Sequence, residues 1–137
     1  MECKVIDGFR SKYDDAGYAL FRVIFGLAIM LHGMMKFGIL SGAFKFPSGM
    51  MLVAGVLELL GGLLVALGLL TWIVSFLLSG ELAVAYWMAH AFGDKGSWYN
   101  PLSNGGELAA LFSFAFLYIF FHGSGKYSLD AAMCKKK

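Results

Sequence analysis

Eight polar side chains stand inside or at the edges of long apolar stretches: Arg22, His32, Lys36, Glu58, Glu81, Tyr86, His90 and Glu107. A charge at the centre of a bilayer costs about 2.5–3.5 kcal/mol on insertion scales, so such residues turn inward and often carry function. Carboxylates, imidazoles and a phenol in apolar surroundings can take up, hold or pass protons. An intramembrane Arg or Lys can pair with a carboxylate, which fixes which helix meets which. The pairs Arg22–Glu81 and Arg22–Glu58 both remain open on the sequence. His32 and His90 lie toward one end, which raises bis-His haem ligation, but His90 falls almost at a helix end. No His, Cys, Asp or Glu cluster has a recognised metal spacing, so no metal is expected.

The elements that position these groups follow from composition. The chain has 137 residues, 59% hydrophobic and 15% charged, with a mean hydropathy of +0.72. Soluble domains carry about 25% charged residues. Eleven basic and nine acidic side chains, twenty in all, are too few to coat a soluble globule of this size. Aromatics at 16% exclude a disordered chain. Net charge +2, with basic residues clustered only in the last three positions, argues against a nucleic-acid partner. The composition is that of an integral membrane protein whose partner is the lipid bilayer.

A spanning helix needs about 20 mostly apolar residues. Met50 to Ala91 is one apolar stretch broken only by Glu58 and Glu81, and it divides at a tight turn near Gly68–Thr71. The expected fold is an all-α, four-helix transmembrane bundle forming a single domain over 1–137. Its helices fall at about 17–38, 50–69, 71–91 and 105–122. Lys4, Arg10 and Lys12 resemble a signal's basic region, but the first apolar run is too long and no small-x-small site follows, so it reads as a retained helix. Seven basic residues lie in the tails, against Lys45 and Lys95 in the two intervening loops, which puts both termini in the cytoplasm. Cys3 and Cys134 lie in the tails and read as reduced thiols. Trp98 and Tyr99 suit an interfacial belt, and Asn104 suits the N-cap of the fourth helix.

Helical spacing orients the polar groups. Arg22 shares a face with Gly26, Ile29, Gly33 and Lys36, with His32 at its edge. Glu58 shares one with Ala54, Gly55, Gly61, Gly62 and Val65, and small residues let membrane helices approach closely. Glu107, Leu111, Phe114, Tyr118 and His122 lie along one side of the fourth helix. Glu81 and His90 fall on opposite faces of the third, which leaves one of them outside the bundle interior. By rise, Glu58 and Glu81 lie roughly 10–15 Å below the outer end, and Arg22 roughly 7 Å from the inner end.

Leu20-Phe-Arg22-Val-Ile-Phe-Gly26, followed by His32-Gly33 and Lys36-Phe37-Gly38, resembles the first helix of the DoxX family. Glu58-Leu-Leu-Gly61-Gly62 is similar to its second helix, and Gly80-Glu81-Leu-Ala-Val-Ala85-Tyr86-Trp-Met-Ala-His90 to its third. Asn104-Gly-Gly-Glu107-Leu-Ala-Ala-Leu opens the fourth. Gly123-Ser-Gly125-Lys-Tyr-Ser128-Leu129-Asp130 is similar to the family's closing signature. The resemblance covers about residues 17–130. It implies a small multi-pass protein of a bacterial or archaeal plasma membrane, associated with quinone- or thiol-linked redox systems. It carries over no settled catalytic residue.

Three functions follow as expectations. The first is a subunit or accessory of a membrane redox system with quinone as the ligand. A quinone head group needs a hydrogen-bond donor or proton relay beside an apolar slot, and His32, Tyr86, Glu58 and Glu81 could supply these. The chain has no C-x-x-C and no dinucleotide fingerprint, so electrons would come through a redox protein partner. The second is a proton-coupled transporter or channel, which with four helices would require a homodimer. The third is a non-catalytic assembly factor that docks through its glycine faces.

Overall fold

No proline and no run of β-branched residues interrupts positions 4–36, and the chain coils continuously there. In the computed structural model, which describes residues 4–92 and 98–134 and their side chains from residue 13 onward, helix α1 runs Lys4–Lys36. It starts thirteen residues before the expected boundary, because Gly8 and Gly17 weaken a helix without breaking it. Lys95 and Lys135–Lys137, on which the expected orientation partly rests, and Cys3, read as a reduced thiol, lie outside the described residues. So do the side chains of Lys4, Arg10 and Lys12.

Helix α2 runs Met50–Leu67, with a π-helical turn at Leu57–Gly61. Gly68 (φ 71°) and Leu70 (φ 51°) then reverse the chain into α3, Thr71–Ala91, which ends in a second π turn at Tyr86–Ala91. A short helix α4, Pro101–Asn104, precedes α5, Glu107–His122, and α6, Leu129–Cys134, closes the chain. Among the described residues every regular element is helical. Three stretches, Tyr13–Lys36, Met50–Leu67 and Thr71–Ala91, are long and apolar enough to cross a membrane, whereas α5 is apolar but shorter at 16 residues.

The helices pack as two pairs, α1 against α2 and α3 against α5. The first pair is a glycine contact. A methyl on Gly26 would lie 2.6 Å from Ala66 N, and one on Gly62 would lie 2.6 Å from Gly26 O. The second pair is tied by two reciprocal bonds: Ser79 Oγ donates to Ser113 O at 2.9 Å and Ser113 Oγ to Ser79 O at 3.0 Å. Ile29, Val65, Val74, Leu78, Leu82, Phe116 and Ile119 form the core between the pairs. The outward faces carry exposed Leu20, Ile24, Val53, Leu60, Trp72, Phe76 and Phe114, the surface a lipid-facing protein presents.

Asn104 does not cap α5. It ends α4, and its Oδ1 accepts from Gly106 N at 2.8 Å, while Gly106 precedes α5 without a capping side chain. Asn100 caps instead, for α4, accepting from Leu102 N and Ser103 N. Pro101 at the first helical position favours starting a separate turn there.

Candidate functional site

The intramembrane charges divide into two groups at opposite ends of the bundle. At one end, Arg22 is 1% exposed and donates to three backbone carbonyls: Val65 O, Ala66 O (2.8 Å) and Tyr127 O (2.7 Å). The first two close the last turn of α2, whose final carbonyls have no helical partner. A cation at a helix C-terminus also suits its dipole. Neither Arg22–Glu81 nor Arg22–Glu58 forms. The guanidinium instead takes backbone oxygens nearer its own depth, which residue spacing does not show.

Asp130 performs the opposite task next door. Its carboxylate accepts from Leu70 N (2.9 Å), Thr71 N (3.0 Å) and Thr71 Oγ1 (2.9 Å), capping the start of α3 from sixty residues away, while its own N–H donates to Gly68 O at 2.9 Å. Partial burial works to raise this carboxyl. The bonds from Thr71 and Leu70 and the nearby Arg22 charge outweigh it and hold the group below its ordinary value. Tyr18 adds a bond from its hydroxyl to Gly123 O, and His122 packs on its ring at 3.7 Å. Arg22, Asp130 and Tyr18 thus clasp the closing segment onto the α2–α3 turn. Two signals could have pointed to this clasp: Leu70, which cannot cap, stands directly before Thr71, and a lone acid follows Gly123-Ser-Gly125.

The second group faces a cleft of about 780 Å³ between the first half of α2 and the second half of α3, lined by Lys36, Glu58, Glu81 and His90 among apolar walls that include Met50, Met51, Leu57, Phe76, Val84 and Met88. Lys36 and Glu58 form an ion pair, with Glu58 3% exposed. Oε2 of Glu81 is buried without a hydrogen-bond partner among the described residues. Glu81 and His90 line the same cleft, contrary to the expectation from spacing. A regular α-helix turns about 100° per residue, which puts residues nine apart on opposite sides. The i→i+5 turn at Tyr86–Ala91 advances less per residue and brings His90 back toward Glu81. Glu58 also sits in a π turn, and such turns concentrate at functional sites.

The remaining candidates lie elsewhere. Tyr86 lines no part of the cleft. Its hydroxyl donates to Trp98 O at 2.7 Å and receives Asn104 Nδ2 at 3.4 Å, holding the loop before α5. His90 Nδ1 lies 3.2 Å from Asn104 O. His32 packs edge-on against Phe112 and borders a different pocket, so the two histidines that raised haem ligation face different clefts. Glu107, Leu111, Phe114, Tyr118 and His122 do form one side of α5, and it is the exposed side. Cys134 is a free, exposed thiol.

A chain whose described residues form only helices, three of them long and apolar enough to cross a bilayer, with a polar cluster in an apolar cleft, is a membrane protein. A model of the DoxX family matches residues 17–91, and the chain belongs to that family. It is similar to an uncharacterized protein of Haemophilus influenzae, 41% identical over 130 residues that cover 91% of this chain and 96% of that protein. It is also similar to a Bacillus subtilis protein named "Putative oxidoreductase CatD", 40% identical over 73 residues, 49% of this chain and 54% of that protein. No solved structure matches it.

Proposed function

We propose that this chain is a multi-pass protein of a bacterial or archaeal plasma membrane, with α1, α2, α3 and α5 crossing the bilayer and both tails in the cytoplasm, and that it serves a redox system by binding a quinone-type ring in the α2–α3 cleft. One observation carries the reading: the unpartnered Oε2 of Glu81, held beside the Lys36–Glu58 pair in a cleft that is otherwise apolar. An unmade hydrogen bond on a buried polar atom costs about 1–3 kcal/mol, and a ligand hydroxyl would supply it. The cleft volume lies within the range of small-molecule sites.

Such a ring exchanges two electrons and two protons. In this reading Glu81 holds or takes a proton at Oε2, the ion pair fixes the polar end of the slot, and the walls exclude water. Electrons pass to or from a separate redox protein. The name of the Bacillus subtilis relative agrees with a redox setting. Proton-coupled transport is the second reading. Against it, Val65 and Leu78, both fully buried, lie in the core between the cleft and the inner clasp.

The test is mass spectrometry of organic extracts from the purified full chain, wild type beside Glu81→Gln and Glu58→Gln. Near-stoichiometric quinone that the folded variants lose supports the reading. Quinone absent from the wild type, or retained equally by the variants, overturns it. A redox enzyme that copurifies without quinone would shift the weight to an assembly role. Topology has its own readout: a membrane-impermeant maleimide labels Cys134 in inverted vesicles and spares it in right-side-out vesicles.

A further inference from the structure

A second pocket of about 600 Å³ opens at the outer end of α1, under the loop that leads to α2. Its ionisable lining residues, His32, Lys36 and Lys45, are all basic, and Ser48 adds a hydroxyl. Phe46, Pro47, Met35 and Met51 form its apolar sides. The loop that carries Lys45 and Ser48 is held in shape. Lys45 N donates to Phe37 O at 3.0 Å, and Ser41 Oγ to Gly38 O at 3.0 Å. Gly38 turns the chain at φ 68°, where a side chain would strike Ala43 O. Phe37 is buried and meets Phe46 edge-on with centroids 6.2 Å apart, and Phe46 meets Phe44 at 5.3 Å.

The charges are unequally satisfied. Lys36 is paired with Glu58 on the cleft side. An ammonium has three N–H donors, so it retains capacity toward the second pocket, which it also lines. The side chain of Lys45 has no hydrogen bond or ion pair among the described residues. The first turn of α2 begins beside Ser48 without a side-chain cap, which adds positive potential to the cationic cluster. A preformed hollow with basic and hydroxyl donors and no carboxylate in its lining is built for an anion.

We infer that this pocket binds a phosphate-type oxyanion at the outer membrane surface, either the phosphodiester of an anionic lipid headgroup or a free inorganic anion, held by Lys45, Lys36, His32 and Ser48. The inference is independent of the quinone reading, because Lys45, His32 and Ser48 line no part of the α2–α3 cleft.

The test follows the melting temperature of the full chain in dodecyl maltoside, a detergent without phosphate. One arm titrates phosphatidylglycerol, with diacylglycerol as the phosphate-free comparison. The other titrates inorganic phosphate against sodium chloride of equal ionic strength. A saturable rise in melting temperature is expected. Its midpoint moves to about tenfold higher concentration in Lys45→Gln, the scale of one lost charge-assisted contact. Ser48→Ala weakens binding less. Lys126→Gln, a basic residue of the clasp end paired with Asp15, leaves the midpoint unchanged. Without anion, Lys45→Gln melts like the wild type. A rise in the lipid arm alone assigns a headgroup, and a rise with inorganic phosphate assigns a free anion. No rise in either arm, an equal midpoint in Lys45→Gln, or an equal shift in Lys126→Gln overturns the inference.

Discussion

Replacing Arg22 with Met separates a structural charge from a functional one. The side chain makes three charge-assisted bonds, each worth about 1.5–3 kcal/mol when lost outright. Their acceptors are not equally dependent on it. Val65 O also receives Gly68 N at 3.0 Å. Tyr127 is 59% exposed, so its carbonyl can turn to water. Ala66 O, inside the last turn of α2, has Arg22 as its donor. One full loss and two partial ones come to about 4–6 kcal/mol. Met offsets part of this, because Nε of Arg22 is itself buried without a partner, a burden of about 1–3 kcal/mol that the thioether removes. The expected net loss is about 2–4 kcal/mol, a fall of roughly 10 °C in melting temperature for a chain of this size. Arg22→Lys falls between the two, since one ammonium cannot span three carbonyls as a planar guanidinium does.

The assay is thermal unfolding by tryptophan fluorescence in detergent, read beside the rate of tryptic cleavage after Lys126. Freed of its bond to Tyr127 O, the closing segment lifts from the α2–α3 turn, and Lys126 becomes the faster site. Ligand retained by the folded fraction stays at the wild-type level, because Arg22 does not line the cleft. An Arg22→Met variant that melts and is cleaved like the wild type but has lost its ligand refutes the clasp.

Asp130→Asn is expected to destabilise by about 0.5–1.5 kcal/mol, because the amide keeps one accepting oxygen but turns a donor toward Leu70 N or Thr71 N. The deficit depends on pH with a definite sign. A carboxyl held below its unfolded value stabilises fully above about pH 4 and loses that contribution as pH falls through its lower folded value. The difference in melting temperature between wild type and Asp130→Asn therefore narrows below pH 4 and is constant from pH 5 to 7. Gly62→Ala destabilises by about 1–3 kcal/mol, because the new methyl meets Gly26 O and Met30 N at 2.6 Å, both backbone atoms. Gly80→Ala, with nothing within 4 Å, is neutral or slightly stabilising in the same melt. Lys36→Met leaves Glu58 buried and unpaired at a loss of about 3–5 kcal/mol, and adding Glu58→Leu recovers most of it. A double-mutant cycle by chemical unfolding measures the coupling.

Side-chain patterning carried much of the architecture. Gly26 and Gly33 on one helix and Gly62 on the next mark the faces that meet, because only residues without bulk permit backbone atoms so close, whereas Gly61 lies against Val74 and Leu78 of α3. The burial of Glu58 among those glycines was legible for the same reason. What spacing could not show depends on backbone groups and on altered helical pitch. A carbonyl left open at the end of α2 has no letter in the sequence, so the partner of Arg22 looked like a carboxylate. The cap of α3 comes from Asp130, whereas capping rules look one residue upstream and find Leu70. The two π turns shift the register under Glu58 and His90, and a fixed 100° wheel cannot register that change. The eight candidates occupy separate places in the fold. Arg22 spends its terminal nitrogens on backbone carbonyls at the clasp, Tyr86 holds a loop, Glu107 faces outward from the bundle and His32 borders the second pocket. Lys36, Glu58, Glu81 and His90 share the α2–α3 cleft, and in that cleft Glu81 keeps a buried oxygen with no partner among the described residues.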